Sequence, residues 1–299
     1  MSLAPILLFT YKKVAPVKKV VAALQKNFLA KQSELIIFSD GPRREADSEQ
    51  VNEVRKFLET VKGFKSIKIH EAPNNMGLAK SIITGVTKVF EEKDRVIVLE
   101  DDLVTSHNFL NFMNQALNEY EFNLDVHSIS GYTMPITTPK NYEYDSYCTM
   151  RASSWGWATW KDRWEAVDWE VKDYPNFKKD SNQRRKFNAM GSDLSSMLVQ
   201  QMEGKISSWA IRWCYDQFKK KQLTVFPTVS KVSNIGFGDG ATHTKYNDDR
   251  FSTYLDKSEQ LEFNFQEDVQ LDDYFIKQFR SKYSLRTRAF YKLKNILGI

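Results

Sequence analysis

Two cysteines, Cys148 and Cys214, and four histidines are all the thiol and imidazole chemistry in a chain of 299 residues. Two thiols can neither frame a secreted disulfide fold nor complete a four-ligand zinc site, so both are expected to be packing residues. No apolar run approaches the roughly 20 residues of a membrane span, and the longest early stretch, Pro5-Ile6-Leu7-Leu8-Phe9, has the length of a strand. The first residues carry no charged leader, apolar core or cleavage site of signal-peptide type, so the expected address is cytoplasmic. Both common glycine-rich phosphate loops are missing: there is no Gly-x-x-x-x-Gly-Lys-Ser/Thr, and no Gly-x-Gly-x-x-Gly follows the first apolar run. Any phosphate would therefore have to be neutralised by a metal and scattered side chains.

What is present is globular. Hydrophobic residues make up 41%, charged residues 27% and aromatics 13%, which excludes a disordered tail protein, a collagen and a miniprotein. The length is about twice a usual domain of roughly 150 residues, so one large domain, or a domain with a subdomain, fits best. The net charge of +5 is unevenly spread: Arg280, Lys282, Arg286, Arg288, Lys292 and Lys294 lie in the last twenty residues without an acid, leaving the rest at −1. In that tail Tyr283, Leu285, Ala289, Phe290, Leu293, Ile296 and Leu297 recur at helical spacing, the pattern of a basic amphipathic helix. Such a helix suits an anionic membrane surface on the inner face of the cell membrane, or it docks on its own domain with a solvated basic face. No zinc-finger, RNP or helix-turn-helix signature accompanies the charge, so no nucleic-acid partner is expected.

Along the chain, short apolar runs alternate with amphipathic ones. Strands are expected at Ile6 to Thr10, Leu35 to Phe38, Ser66 to His70 and Arg95 to Leu99, with helices over Val14 to Leu29, Asp47 to Val61 and Gly77 to Phe90. This order predicts an α/β fold with a mostly parallel sheet covered on both faces. Ligands of such sheets sit at the carboxyl ends of the strands. Three polar clusters fall there: Thr10-Tyr11-Lys12, Ser39-Asp40-Gly41 and Glu100-Asp101-Asp102. Three consecutive carboxylates after a strand as apolar as Val96-Ile97-Val98-Leu99 repel one another unless a cation or donor groups offset them. Hard oxygen ligands favour Mg²⁺ or Mn²⁺.

The run Val96 to Leu103 followed by Asn108-Phe109-Leu110 resembles the strand and Glu-Asp-Asp metal motif of nucleotide-sugar glycosyltransferases with the GT-A fold. The likeness is greatest to the inverting N-acetylglucosaminyltransferases of N-glycan synthesis and their bacterial relatives in surface-polysaccharide synthesis. Pro5 to Lys12, Ser39-Asp40, Asn75 to Lys80, Ser154-Trp155-Gly156-Trp157-Ala158, and Asn234-Ile235-Gly236-Phe237 through His243 resemble that family's segments in order, over roughly residues 4 to 245. The resemblance implies that Asp102 is the direct metal ligand, with His243 joining it or donating to the diphosphate. It implies that Glu100 and Asp101 hold ribose, water or backbone, that Thr10, Tyr11 and Gly77 line the donor, that Asp40 accepts from uracil or ribose, and that Lys80 approaches the diphosphate. It further implies catalytic residues 1–250, divided near 105 into a nucleotide-binding and an acceptor half, followed by a C-terminal helical extension over 251–299.

Sugars stack their apolar faces on indole rings. Of the tryptophans between Trp155 and Trp169, Trp160, Trp164 and Trp169 are expected in the core, whereas Trp155 and Trp157, flanking Gly156, are expected to wall the sugar pocket together with Trp209. The family's mechanism would be a single displacement in which a carboxylate deprotonates the acceptor hydroxyl. Here the sequence departs from the family: Ser207-Ser208-Trp209-Ala210-Ile211-Arg212-Trp213, in the place of the segment that supplies that carboxylate, contains no acid. Asp193 is the substitute candidate, and Asp216, inside a helical run, reads as a surface charge. The expected activity is transfer of a sugar from a nucleoside diphosphate donor, UDP above all, to a glycan or lipid-linked acceptor. The alternatives are a nucleotidyltransferase, disfavoured by the absence of glycine in Phe9 to Lys13, and a non-catalytic sugar-nucleotide binder.

Overall fold

The computed structural model describes residues 3–236 and 249–297. Its first part is β1 (Ile6–Thr10), α1 (Val14–Gln25), β2 (Glu34–Ser39), α2 (Ser48–Leu58), β3 (Ser66–Glu71), α3 (Leu78–Val89) and β4 (Arg95–Glu100). Then come β5 (Leu103–Thr105), α4 (Phe109–Glu119), β6 (Val126–Ser130), β7 (Ser146–Thr149), β8 (Trp157–Trp160) and α5 (Lys161–Glu165). The remainder is α6 (Tyr174–Lys179), α7 (Ser181–Phe187), α8 (Leu194–Met202), α9 (Trp209–Lys220), β9 (Leu223–Pro227), β10 (Val232–Asn234), α10 (Asp273–Lys282) and α11 (Leu285–Leu297).

Eight strands form one sheet in the order β3-β2-β1-β4-β8-β6-β9-β7. The first four are mutually parallel, β6 and β9 share their direction, and β8 and β7 run against it. This is the Rossmann-like α/β architecture anticipated from the alternating runs. The parallel strands are apolar from end to end because helices cover both faces; Leu7, Leu8, Ile37, Ile97 and Val98 have no exposed surface. The helices α1 and α2 pack together, while α3 carries the chain back past β2 and β1 to β4 over the opposite face, as right-handed crossovers require. Strand order reverses between β1 and β4, which makes their carboxyl ends the place where a ligand crevice opens.

The first helix stops at Gln25, four residues short of the apolar pattern, because Asn27 takes over its end. The Asn27 amide donates to the Ala23 carbonyl and to Thr105 Oγ1, and its Oδ1 accepts the Leu110 N–H. Phe28, within the expected helix, is consequently left exposed.

The second half of the sheet surrounds an aromatic core. Trp157 stacks on Trp164 (5.6 Å between centroids) and lies against Trp209 (4.9 Å) and Trp213 (5.7 Å), with Trp169 closing the cluster at 4.6 Å from Trp164. The two cysteines are buried and free, as expected. After β10 the described chain resumes at residue 249 and packs back on the body. Asp256 forms a buried ion pair with Lys231 and accepts from Asn108 at 2.9 Å. Phe263 and Phe265 lie against Phe112, and α10 inserts Phe275 against Tyr147 and Phe279 against Phe226.

Candidate active site

The crevice between β1 and β4 is assembled by backbone register. Phe9 lies opposite Glu100 and Thr10 opposite Ser39, so the three polar strand ends of the sequence reading stand side by side. Thr10 itself is buried, its hydroxyl directed at the Phe38 carbonyl. The Tyr11 N–H crosses the reversal point to donate to Asp101 Oδ2 at 3.1 Å. The Tyr11 side chain is fixed from below by Asp47, which accepts from the phenol at 3.1 Å and from Lys12 Nζ at 2.6 Å. Asp47 is almost fully buried and was not legible as a site residue, because an acid just before a helix reads as a helix start.

At the end of β4, half-buried Glu100 carries a carboxyl held well above the ordinary glutamate range by desolvation, with the charges of Asp102 and Asp101 adding to it. Desolvation and the Asp102 charge also push Asp101 up to about 7, against the opposing Tyr11 hydrogen bond. Both shifts point the same way: burial, with mutual repulsion adding to it, favours the protonated forms, and a bound cation or a set of ligand donors would oppose this.

The segment after β9 is brought to this cluster by a two-stranded ribbon. β10 pairs antiparallel with β5, placing Asn234 opposite Leu103, and the Ile235 N–H donates to the Asp102 carbonyl at 2.8 Å. Gly236 comes so close that a Cβ there would lie 2.2 Å from Asp102 Oδ2, so only glycine lets this carboxylate keep its position. The late loop and the acidic triplet, separate motifs in the sequence, are thus neighbours. His243, the second expected metal ligand, lies outside the described residues. Among the described residues no group of three or more His, Cys, Asp or Glu side chains converges as a complete metal cage.

Asp40 departs from its expected role. Its Oδ1 accepts from the N–H groups of Gly41 (2.9 Å) and Met76 (2.8 Å), and its Oδ2 from the Asn75 amide (2.9 Å) and the Gly77 N–H (3.1 Å). Four donors fill the accepting capacity of a carboxylate, so Asp40 builds the turn that starts α3 and has no lone pair left for a uracil N–H. Gly77 caps that helix, and Lys80 stands exposed in its first turn.

In the second half of the sheet, Trp155 and Trp157 separate. Trp155 is half-buried and faces Tyr132 (4.5 Å) and Phe251 (6.3 Å), a position that suits a pocket wall. Trp157 and Trp209 are 1% and 2% exposed and belong to the aromatic core, which corrects their assignment to the sugar pocket. The cause is Gly156: its φ of +62° turns the chain sharply between the two tryptophans, and a Cβ there would meet Val232 at 2.6 Å. Trp160 and Trp164 are in the core as anticipated, with Trp169 packed against it.

The two acids of this half are both engaged. Asp193 binds Arg151 through two parallel hydrogen bonds of 2.9 Å. Burial pushes its carboxyl up, but the attraction and hydrogen bonds of Arg151 outweigh that and leave it below the ordinary aspartate range. A carboxylate with both oxygens occupied and a lowered pKa is a poor proton acceptor, which removes Asp193 from the role of base. Arg151 also stacks 3.7 Å over the Tyr283 ring. Asp216, expected at the surface, is buried between His127 (3.3 Å) and Lys220 (2.7 Å).

No family model matches the sequence, and no curated protein matches it. Among solved structures the chain is similar to S. aureus TarS residues 1–349, with 9% identity and a TM-score of 0.41, over 76% of this chain and 59% of that one. It is similar to a second TarS structure at 12% identity and a TM-score of 0.37, over 64% of this chain and 34% of that one. It is also similar to the mannosyltransferase PcManGT from Pyrobaculum calidifontis, solved with GDP-Man and Mn²⁺, at 8% identity and a TM-score of 0.33, over 52% of this chain and 46% of that one. The chain spans less than two thirds of each of these proteins.

Proposed function

We propose that the protein is a metal-dependent glycosyltransferase that moves a sugar from a nucleoside diphosphate donor to a glycan or lipid-linked glycan acceptor. The observation that carries this reading is the crowded acidic triplet Glu100-Asp101-Asp102 at the strand-order reversal, with Gly236 pressed against Asp102. Asp102 would contribute to a Mn²⁺ or Mg²⁺ site whose remaining positions are filled by diphosphate oxygens and water, the usual arrangement for these hard cations. The bound cation would supply charge stabilisation for the departing nucleoside diphosphate.

The chain's own residues do the rest. Tyr11, locked by Asp47 and joined to Asp101, forms one wall of the donor cleft. Asp40 fixes the start of α3, whose N-terminus and Lys80 favour anionic phosphate. Trp155 with Tyr132 offers an aromatic face to the sugar. A uridine donor and an inverting single displacement remain part of the proposal from the family resemblance, with Asp40 acting on the donor only through the turn it holds.

The test is incubation with a panel of uridine, guanosine and cytidine diphosphate sugars, following nucleoside diphosphate release with and without Mn²⁺. Metal-dependent release from at least one donor is the expected result. Pyrophosphate release from a nucleoside triphosphate and a sugar phosphate would instead identify a nucleotidyltransferase, and binding without turnover of any donor would identify a sugar-nucleotide receptor.

A further inference from the structure

Three contacts of the described residues seat one side of the C-terminal helix α11 on the body. Arg288 donates to Ser192 Oγ at 2.9 Å, Arg250 stacks over the Tyr291 ring at 5.3 Å, and Thr287 donates to the Ser281 carbonyl at 2.7 Å. These contacts fix the rotation of the helix about its axis. The side they leave outward carries Leu285, Phe290 and Leu293, which are 70%, 62% and 56% exposed, with Ala289 between them. Residues four apart share a helix face, so Leu285, Ala289 and Leu293 form one stripe with Phe290 beside it. Exposed Arg286 and Lys292 lie along the same side.

A second basic element lies beside α10, the helix that precedes this one. The end of α7, Arg184-Arg185-Lys186, runs into the turn 188–190 against which α10 packs, and Arg185, Lys186 and Arg280 are exposed. The nearest acids of α10, Asp272 and Asp273, sit at its opposite end, where Asp272 caps the helix by accepting the Tyr274 N–H. An apolar stripe set among cations with no acid from residue 280 onward complements an anionic interface with an apolar interior. It does not complement itself, because a second copy would oppose like charge to like charge.

We infer that the outward face of α11, with its own flanking cations, docks the protein on an anionic lipid surface. Phe290 and the leucines enter the headgroup boundary and the arginines and lysines meet lipid phosphate. The helix adjoins the acceptor side of the cleft through a continuous line of contacts: Arg288 to Ser192, its neighbour Asp193 to Arg151, Arg151 to Tyr283, Tyr283 to Phe251, and Phe251 to Trp155. Docking would therefore hold the acceptor side close to the lipid, which favours a lipid-linked acceptor; that last step rests on the transferase reading.

The test is co-sedimentation of the full chain with vesicles of phosphatidylcholine alone and of phosphatidylcholine with phosphatidylglycerol, at low and high salt. The variants are Phe290→Ser with Leu293→Ser, and Arg286→Glu with Lys292→Glu. Binding only to the anionic vesicles, released by salt and weakened roughly tenfold or more by each pair of substitutions at unchanged melting temperature, is expected. Equal amounts of wild type and variants in the supernatant under all conditions overturn the inference. So does a drop in melting temperature without any vesicle binding, which makes the stripe structural, or a wild-type dimer that the apolar variant dissociates. Mn²⁺-dependent nucleotide binding is measured on the same samples: its absence with vesicle binding intact refutes the transferase reading and leaves the docking face standing.

Discussion

Two strands flank β1, and each ends in carboxylate, but the two ends are built in opposite ways. At the end of β2, Asp40 is surrounded by four N–H donors supplied by its own turn and by the start of α3. At the end of β4, Glu100, Asp101 and Asp102 crowd one another, and the first two are pushed toward the protonated form. A satisfied carboxylate is an architectural element, whose removal leaves donors unpaired. A crowded one, under the proposed function, is a binding element, whose removal would relieve repulsion and delete a ligand. Asp193, neutralised by Arg151, belongs with Asp40 in this division although it lies in the other half of the molecule.

The largest effect that tests this division is expected at Asp193. Asp193→Asn leaves the buried Arg151 guanidinium without its counter-charge and should cost about 3–5 kcal/mol of stability. Because the folded-state pKa of Asp193 is lowered, its contribution is fully present above the unfolded aspartate pKa of about 3.9 and fades as pH falls through the lower folded value. Melting curves of wild type and variant should therefore converge below about pH 4. A difference that persists unchanged into strong acid would show that the ion pair is not the source. Next in size is Asp102→Asn, which should weaken Mn²⁺-dependent binding of a nucleoside diphosphate by about 100-fold, near 2.7 kcal/mol, without lowering the melting temperature. Calorimetry that finds the affinity intact would move the ligand role to another residue.

Asp40→Ala should show the reverse pattern, a stability loss of about 1–3 kcal/mol from unpaired N–H groups, with nucleotide affinity changed far less. A selective loss of uridine nucleotide affinity at unchanged stability would break the comparison, because Asp40 would then be reading the base after all. The smallest effect is expected from Gly236→Ala. Its Cβ would displace the Asp102 carboxylate and reduce metal-dependent affinity by about tenfold, or about 1.4 kcal/mol, at nearly constant stability.

The sequence disclosed those features whose cause is local. Apolar runs separated by turn residues gave β1 to β4 within a residue or so, and the acidic triplet stood out because repulsion between neighbours needs no knowledge of the fold. Features that depend on distant partners were hidden. Asp40 and Asn75 are 35 residues apart, Arg151 and Asp193 are 42 apart, and His127 and Asp216 are 89 apart. Only the folded chain reveals that these acids are occupied. The tryptophans were ambiguous for a different reason: an indole is as well suited to a core as to a sugar face, and the turn at Gly156 decides which of Trp155 and Trp157 does which.

The ion pair between Lys231 and Asp256 bears on where this chain can be cut. Both side chains are nearly inaccessible, at 4% and 6% exposure, and they join the strand that faces the acidic triplet to the segment leading toward the tail. A version ending at 250 would strand the Lys231 ammonium without its counter-charge and strip Phe263 and Phe265 from Phe112, so it should be recovered only as aggregate. One ending at Ser284 keeps the pair, both phenylalanines and α10, and should fold. Exchange of tails between related proteins, by evolution or by an engineer, would on this account have its seam after Ser284: everything before it is masonry of the folded body, and the replaceable part is the segment that begins with α11.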